Sequence, residues 1–450
     1  MPPALDLGAA QNTTEAALRY QDGKRDRGCC YHWRGPWCKS LSFCFPLLCR
    51  ESDEQQGMAL AIALSQRSIP CRIYERRSEN SETFNSGVTL GPNGSRVLDS
   101  LGVLQRIAPL SYQTETHTFK DPDGNTLNRI NIATKEISEY KGHRIYRQIL
   151  KQEFAAVLKE LKIPVEYGAK FEKVVDESAD GIAFHINGRV EHASVLVGAD
   201  GIHSTVRKYL TPALPEYVGL VCIYGHLPTD EVSWLAKEAD RACTIQDEPG
   251  AMFMIPEDHD GSDLMVGRQF PFPALDRTGW EALAHEPDKL YNMFCKDYEQ
   301  WGPAGRSIMD LLSTRKEGLL LWPFHRMPKL SSWASSAGRV IIIGDAAHAL
   351  PPSSGQGVNQ ALEDASTLAG LLKSLSGKTN ANEALRLWHK RRQDRIDMII
   401  KMAEETNVKR LPRAERLALE KRGPQSKQQP KILEDLKWLA SPDMDEDTIN

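Results

Sequence analysis

Apolar and polar residues follow two different arrangements along this chain, and the change falls at Gly57. Upstream, "DGKRDRGCCYHWRGPWCKS" mixes Cys, Trp, Arg and Gly with neither a helical nor a strand period, so residues 1–50 read as an irregular or disordered leader. From Gly57 the pattern becomes orderly. "GMALAIALSQRS" predicts an Ala-rich apolar helix and "PCRIYER" a short strand. "GVTLGPNGSRVLDSLGVLQRI" predicts a loop feeding an amphipathic helix, and "IYRQILKQEFAAVLKEL" has apolar residues at helical spacing. "ASVLVGADGIHSTVRKYL" reads as a buried strand entering a Gly-containing turn. Residues 213–325 carry alternating runs such as "GLVCIYGHL", "AMFMIP", "DLMVGRQF" and "GLLLWPF", which predict an inserted sheet. "RVIIIGDAAHALPPSSGQGVNQALEDASTLAGLLKSL" then returns to strand, loop and long helix, followed by the charged helix "NEALRLWHKRRQDRIDMIIKMAEE". Strands alternating with helices predict an α/β core with a mostly parallel sheet. The expected division is a leader to 50, a nucleotide-type domain in two parts (51–212 and 331–410), a sheet domain over 213–330 between them, and a helical, polar tail over 411–450.

Composition narrows the function class only by exclusion. The 450 residues are 41% hydrophobic and 26% charged, with a net charge of -4, which offers no global attraction to nucleic acid or an acidic membrane. Five of the nine cysteines fall within the first 50 residues, and Cys71, Cys222, Cys243 and Cys295 are scattered. That is neither a disulfide framework nor a zinc spacing, so no metal is expected and a reducing, cytoplasmic setting is. "LSFCFPLLC" is about half the length of a spanning helix.

Three stretches carry chemistry. The first is "CRESDEQQGMALAIALSQRSIPCRIYERR". A dinucleotide fingerprint places glycines at a strand-to-helix turn, phosphates on the helix N-terminus, and an acid about 20 residues later on the ribose. Glu75 lies 18 residues after Gly57, as that spacing requires. Counting back from Gly57, however, the first two glycine positions hold Ser52 and Glu54, and "PLLCRE" is a poor buried strand. On these residues alone, a nucleotide site and an amphipathic helix followed by a strand both stay open. The second stretch is "VLVGADGIHSTVR", where Asp200 would lie close to a phosphate or ribose, Gly201 would give backbone access and Arg207 would support the loop; the bland reading is a tight Asp-Gly turn. The third runs from Arg339 to Ala365, where Gly355-Gln356-Gly357 opens a helix whose free N–H groups suit an anion or a negatively polarised carbonyl.

At these stretches the chain resembles the flavin-dependent aromatic monooxygenases, the single-component family that includes salicylate hydroxylase and 4-hydroxybenzoate hydroxylase. The likeness runs from about Gly57 to about Ala403 and is densest in "GADGIHSTVR" and "GDAAHALPPSSGQGVNQALEDA". The resemblance, closest to fungal members of secondary metabolism, implies an FAD-binding Rossmann-like (GR2-type) domain with an inserted mixed β-sheet substrate domain. It implies FAD as cofactor, NAD(P)H as co-substrate, and O2 with a small aromatic or polyketide-like substrate. By the same resemblance Gly57 belongs to the fingerprint, Glu75 with Arg76 beside it binds the adenosine ribose, and Arg147 contacts the cofactor. Asp200 and Gly201 lie near the pyrophosphate, Asp345 bonds the ribityl chain, and the backbone at Gly355, Gln356 and Gly357 faces the pyrimidine side of the ring. Where the family usually reads His-Pro, this chain has His348-Ala349.

The substrate side is less defined. A hydroxylation of this kind gains from a pocket His or Tyr, and Tyr224, His226 and His325 are the candidates, each reading more readily as a wall or core residue. Two other functions are carried along. One is a flavin halogenase or reductase on the same fold, although the halogenase Trp-x-Trp-x-x-Ile signature is absent from the sequence. The other is a cofactor-impaired relative acting as a binding protein. The abrupt change at Gly57 also raises the expectation of a misassigned gene start or retained intron, with the true first strand and its glycines lost.

Overall fold

The computed structural model describes residues 45–49, 54–81, 86–238, 241–375, 381–421 and 432–441. Residues 1–44, which hold most of the expected leader, and Ser52 lie outside them.

A five-stranded parallel sheet runs in the order Val340–Ile342, Leu196–Ala199, Phe45–Cys49, Cys71–Glu75, Val165–Tyr167. Its central strand is Phe45–Cys49, which pairs over five residues with Cys71–Glu75 and over three with Leu196–Ala199. This corrects two expectations. The leader does not extend to residue 50, and a first strand is present in the chain. The reason is positional: a segment flanked on both sides has its backbone groups satisfied by two neighbours, so five residues suffice.

The helix Glu54–Gln66 follows that strand. Met58 to Leu64 are each no more than 1% exposed, so the helix is buried all round and the amphipathic alternative falls. Its Ala-rich composition lets it pack closely against the helices Gly357–Ser374 and Arg147–Glu160. The strands Leu196–Ala199 and Val340–Ile342 read as unbroken apolar runs because both faces of a parallel sheet are covered there, and Leu196, Val197, Val340, Ile341 and Ile342 are fully buried.

A second sheet has seven strands in the order Leu320–Arg326, Glu216–Pro228, Asp263–Pro271, Gly250–Pro256, Cys243–Asp247, Thr116–Lys120, Thr126–Asn131. It is mixed, because Cys243–Asp247 pairs parallel with Thr116–Lys120 while the other pairs are antiparallel. Two of its strands therefore come from well before residue 213, where the sequence places the start of this sheet. Strand alternation divides its residues between two environments. Ile223, Met252, Met254 and Val266 pack under the helices Pro287–Phe294 and Pro303–Leu312 with Trp301 and Phe294. Cys222, Tyr224, Phe253, Ile255, Met265 and Phe324 face the other way. A three-stranded sheet, Gly87–Leu90, Gly142–Tyr146 and Tyr112–Thr114, completes the surroundings of that second face. No helix among the described residues is long and apolar enough to cross a membrane.

Candidate active site

The loop after Val340–Ile342 needs two backbone conformations that favour glycine. Gly344 has φ 58° and Gly355 φ 62°, both in the left-handed region. Between them come the short helix Asp345–His348 and the turn Pro352–Ser354; Gly357–Ser374 follows. A buried charge network fixes this loop from beneath. Asp364 accepts from the Gly344 N–H at 2.8 Å, from His348 Nε2 at 2.6 Å and from Arg392 Nε at 2.7 Å. Glu363 accepts from Arg392 Nη1 at 2.6 Å, Arg395 Nε at 2.6 Å and Asn93 Nδ2 at 2.7 Å. Asn93 Nδ2 also reaches Gln356 Oε1 at 3.0 Å, which ties the second glycine turn to the same network. Burial pushes the Asp364 carboxyl up, but His348 and Arg392 beside it outweigh that and hold it at about 2.

A cavity of about 310 Å³ lies between this loop and the second sheet. The loop side contributes Asp345, Leu350, Pro352 and the Gly355-Gln356-Gly357 backbone. Tyr224, Phe253, Met265, Trp322 and Phe324 form an aromatic and thioether wall opposite. Asp345 is half-buried, and among the described residues its carboxylate accepts no hydrogen bond. Burial raises its pKa, with His348 and Arg147 pulling the other way.

Three arginines line the cavity. Arg144 is paired with the fully buried Glu257, Nη2 to Oε1 at 2.5 Å, and also donates to Thr89 Oγ1 at 3.0 Å. Arg147 opens the helix Arg147–Glu160, donates its N–H to the Ser86 carbonyl at 3.1 Å, and interacts electrostatically with Asp345. Arg410, just past the helix Ala381–Lys409, donates to Gln269 Oε1 at 2.9 Å.

The front of the cavity is where the sequence is anomalous. Gln55 and Gln56 are buried and line it. Gln55 Nε2 donates to the Arg147 carbonyl at 3.4 Å, and Gln56 Nε2 to the Ala199 carbonyl at 3.3 Å. Gln56 Oε1 is buried with no hydrogen-bond partner among the described residues, and a Cβ added at Gly344 would overlap it. Two side chains thus project from the first turn of the helix Glu54–Gln66, near where a dinucleotide site presents bare backbone.

The residues singled out from sequence separate into groups. Arg147, Asp345, Gly355, Gln356, Gly357 and Tyr224 share this cavity. Glu75 closes its strand at 1% exposure and accepts from the Arg77 N–H at 2.7 Å; it does not line the cavity, nor do Gly57 and the exposed Arg76. The Asp200 carboxylate binds within its own loop, accepting from Ser204 Oγ, from the Thr205 N–H at 2.6 Å and from the Val206 N–H at 3.2 Å. Gly201 has φ 74°, and Arg207 supports the loop by donating to the Ile202 carbonyl at 2.7 Å and the Ala346 carbonyl at 2.9 Å. His226 and His325 are outside the cavity. His226 Nδ1 pairs with Asp263 at 2.9 Å, which Tyr146 also contacts, and His325 Nδ1 bonds the Pro323 carbonyl at 3.1 Å. Sequence reasoning passed over Phe253, Met265, Trp322, Phe324, Gln269 and Arg410. Strand alternation from Tyr224 could have found the sheet residues; nothing local marks Arg410.

A sequence profile described as an FAD binding domain matches residues 55–277 and 328–403. The 3-amino-4-hydroxybenzoate 2-monooxygenase of Streptomyces cremeus is 28% identical over 327 residues, which is 71% of this chain and 77% of that protein. The 6-methylsalicylate 1-monooxygenase atA of Aspergillus terreus is 25% identical over 374 residues, 76% of this chain and 78% of that one. Among solved structures, Klebsiella pneumoniae HpxO complexed with FAD and uric acid superposes with a TM-score of 0.72 at 21% identity, covering 88% of this chain and 97% of HpxO. At that identity the superposition shows a shared fold.

Proposed function

The chain belongs to the FAD-dependent aromatic monooxygenases, and from that premise we propose that the cavity between Asp345 and the aromatic wall is where a small aromatic or polyketide-like substrate is hydroxylated. One observation carries this reading: the loop with a carboxylate, two left-handed glycines and a helix N-terminus faces Tyr224, Phe253, Trp322 and Phe324 across a single cavity. The likeness to a fungal monooxygenase supports a place in secondary metabolism.

The residues fit FAD at most of its length. Asp345 offers an unused carboxylate for hydroxyl groups such as those of the ribityl chain. Gly355 has open space where a Cβ would stand, so a flat ring can approach the backbone there. The first N–H groups of Gly357–Ser374 present the positive end of an 18-residue helix to an electron-rich carbonyl. Glu75 ends its strand where a ribose-binding acid belongs. At the diphosphate position the fit is poorer, because the Gln55 and Gln56 side chains fill space that phosphates need.

When bound, FAD supplies the redox chemistry, taking a hydride from NAD(P)H and, once reduced, delivering one oxygen atom of O2 to the substrate. The protein's part is placement and exclusion. The charge network beneath Gly344 and Gln356 keeps the loop rigid, so donors aimed at the ring need not reorganise. The apolar wall keeps water from the reacting face. Tyr224 is 3% exposed and burial raises its pKa, so its hydroxyl stays neutral and orients the substrate as a hydrogen-bonding group.

Titrating the purified full chain with FAD, followed by flavin fluorescence, tests the reading; NAD(P)H oxidation coupled to O2 uptake and an oxygenated product completes it. Absence of FAD binding would sink it. Gln56 favours a second reading, a cofactor-impaired binding protein, which that same null result would support.

A further inference from the structure

The two acids beneath the glycine-containing loop are matched by two arginines, which are placed differently. Arg392 meets both carboxylates, Nη1 on Glu363 Oε2 at 2.6 Å and Nε on Asp364 Oδ1 at 2.7 Å. Arg395 meets Glu363, with Nε 2.6 Å from Oε2 and Nη2 3.0 Å from Oε1. The same guanidinium also turns outward. Nη2 donates to the Leu439 carbonyl at 2.7 Å and Nη1 to the Trp438 carbonyl at 3.3 Å.

Those carbonyls belong to the last turn of the helix Ile432–Ala440, the end that lacks internal donors and carries the negative pole. The Trp438 ring covers the guanidinium, its centroid 4.5 Å from the guanidinium carbon. Leu439 packs against the main core and Ala440 is buried. The helix also contacts Pro92–Ser100, the helix that carries Asn93. It lies beyond residue 403, where the match to the family profile ends.

A chain of hydrogen bonds thus runs from this helix to the cavity. It passes from the Leu439 carbonyl through Arg395 to Glu363, then through Asn93 Nδ2 to Gln356 Oε1, which lies at 3.0 Å. Gln356 lines the cavity and directly precedes Gly357. Burial pushes the Glu363 carboxyl up, and Arg392 and Arg395 together hold it below its ordinary value. Without Arg395, two buried carboxylates would share one guanidinium, and a buried charge is costly unless paired.

We propose that Arg395 is a positioning residue through which the helix Ile432–Ala440 sets the backbone at Gly355 to Gly357, and with it the electrostatic environment of the flavin. The proposal rests on the reading of this loop as the one that faces the cofactor.

Amide hydrogen exchange on the full, flavin-free chain tests it, with peptides spanning residues 352–360 compared against 195–200 in the parallel sheet. Arg395→Gln should speed exchange over 352–360 roughly tenfold or more, the scale of a charge-assisted hydrogen bond, and leave 195–200 unchanged. Trp438→Ala, which removes a partly exposed ring and no charge, should speed it about two- to fivefold, the scale of an exposed cation–π contact. Arg395→Lys should recover part of the protection. With FAD bound, Arg395→Gln should lower the flavin midpoint potential, because the uncompensated carboxylate disfavours the more negative reduced ring, whereas loosened packing alone has no fixed sign. The proposal is overturned if exchange over 352–360 stays at the wild-type rate in Arg395→Gln or Trp438→Ala, if it rises equally over 195–200, or if the potential is unchanged or raised. Trp438→Ala leaves the buried charges in place, so its result decides the matter even if Arg395→Gln fails to fold. Failure to bind FAD would sink the monooxygenase reading separately, because the exchange comparison needs no flavin.

Discussion

Two strand–turn–helix units meet at the candidate active site, and they treat the same task in opposite ways. In the unit spanning 340–374, glycines leave the backbone bare, and buried acids and arginines hold it in place. In the unit made of the strand Phe45–Cys49 and the helix Glu54–Gln66, the strand is paired on both sides and the helix is buried, yet the first turn of the helix delivers two glutamine side chains into the cavity. The fold therefore does not depend on a competent nucleotide turn. Sheet pairing needs backbone groups and apolar burial, which both units supply. Close approach of a phosphate needs side chains to be absent, which only one supplies.

That contrast can be broken from the stronger side first. Asp364→Asn should leave His348 and the Arg392 guanidinium without their shared carboxylate partner and destabilise the fold by about 3–5 kcal/mol, read from urea unfolding. A loss under ~1 kcal/mol would show that the network does not hold the loop. The sign with pH follows: the Asp364 pKa is depressed, so its stabilisation is present above the ordinary carboxylate range and is lost as pH falls through about 2.

The contact between the two units comes next. Gly344→Ala combines an unfavourable φ with overlap against Gln56 Oε1 and should cost ~2–3 kcal/mol. In a Gln56→Gly background the overlap disappears, so a double-mutant cycle should show coupling of about 1 kcal/mol or more. Additive costs would mean that Gln56 can turn aside.

Asp345 tests whether the stronger unit carries functional strain. Its pKa is raised, so its contribution to stability is present below the ordinary carboxylate range and is lost as pH rises through the elevated value. Asp345→Asn should therefore stabilise the flavin-free chain by ~0.5–2 kcal/mol near pH 7, with the gain shrinking at pH 4, while weakening FAD binding. A destabilised variant at pH 7 would contradict this.

The smallest effect sharpens the weaker side. Gln56→Gly should raise FAD affinity several-fold, about 1 kcal/mol, by removing a side chain from the front of the cavity, at a similar cost in helix stability. Unchanged affinity in the fluorescence titration would clear Gln56 of blocking the site.

Much of the site was readable locally because it consists of short, dense motifs. "GDAAHALPPSSGQG" carries the carboxylate, both turns and the helix start within one loop, and the structure keeps Asp345, Gly355, Gln356 and Gly357 on one cavity. "GADGIHSTVR" was legible as a turn supported by Arg207, although its Asp200 caps that turn with its own carboxylate. The strand Phe45–Cys49 was not legible, since five residues including a proline carry too little pattern and became a strand through pairing on both sides. His226 and His325 looked like pocket residues on chemistry alone, but their neighbours turn them elsewhere.

By itself the sequence determined the family, the parallel α/β core and the loop that lines the cavity, because each rests on residues adjacent in the chain whose spacing is their geometry. Only the tertiary structure decided which face of the seven-stranded sheet meets that loop, that Thr116–Asn131 joins the sheet from a distance, that Gln56 fills the space beside Gly344, and that Arg395 links Glu363 to the helix Ile432–Ala440. Those are contacts between segments far apart in sequence. Their chemistry depends on what the fold brings within hydrogen-bonding and Coulombic reach, which no local pattern records.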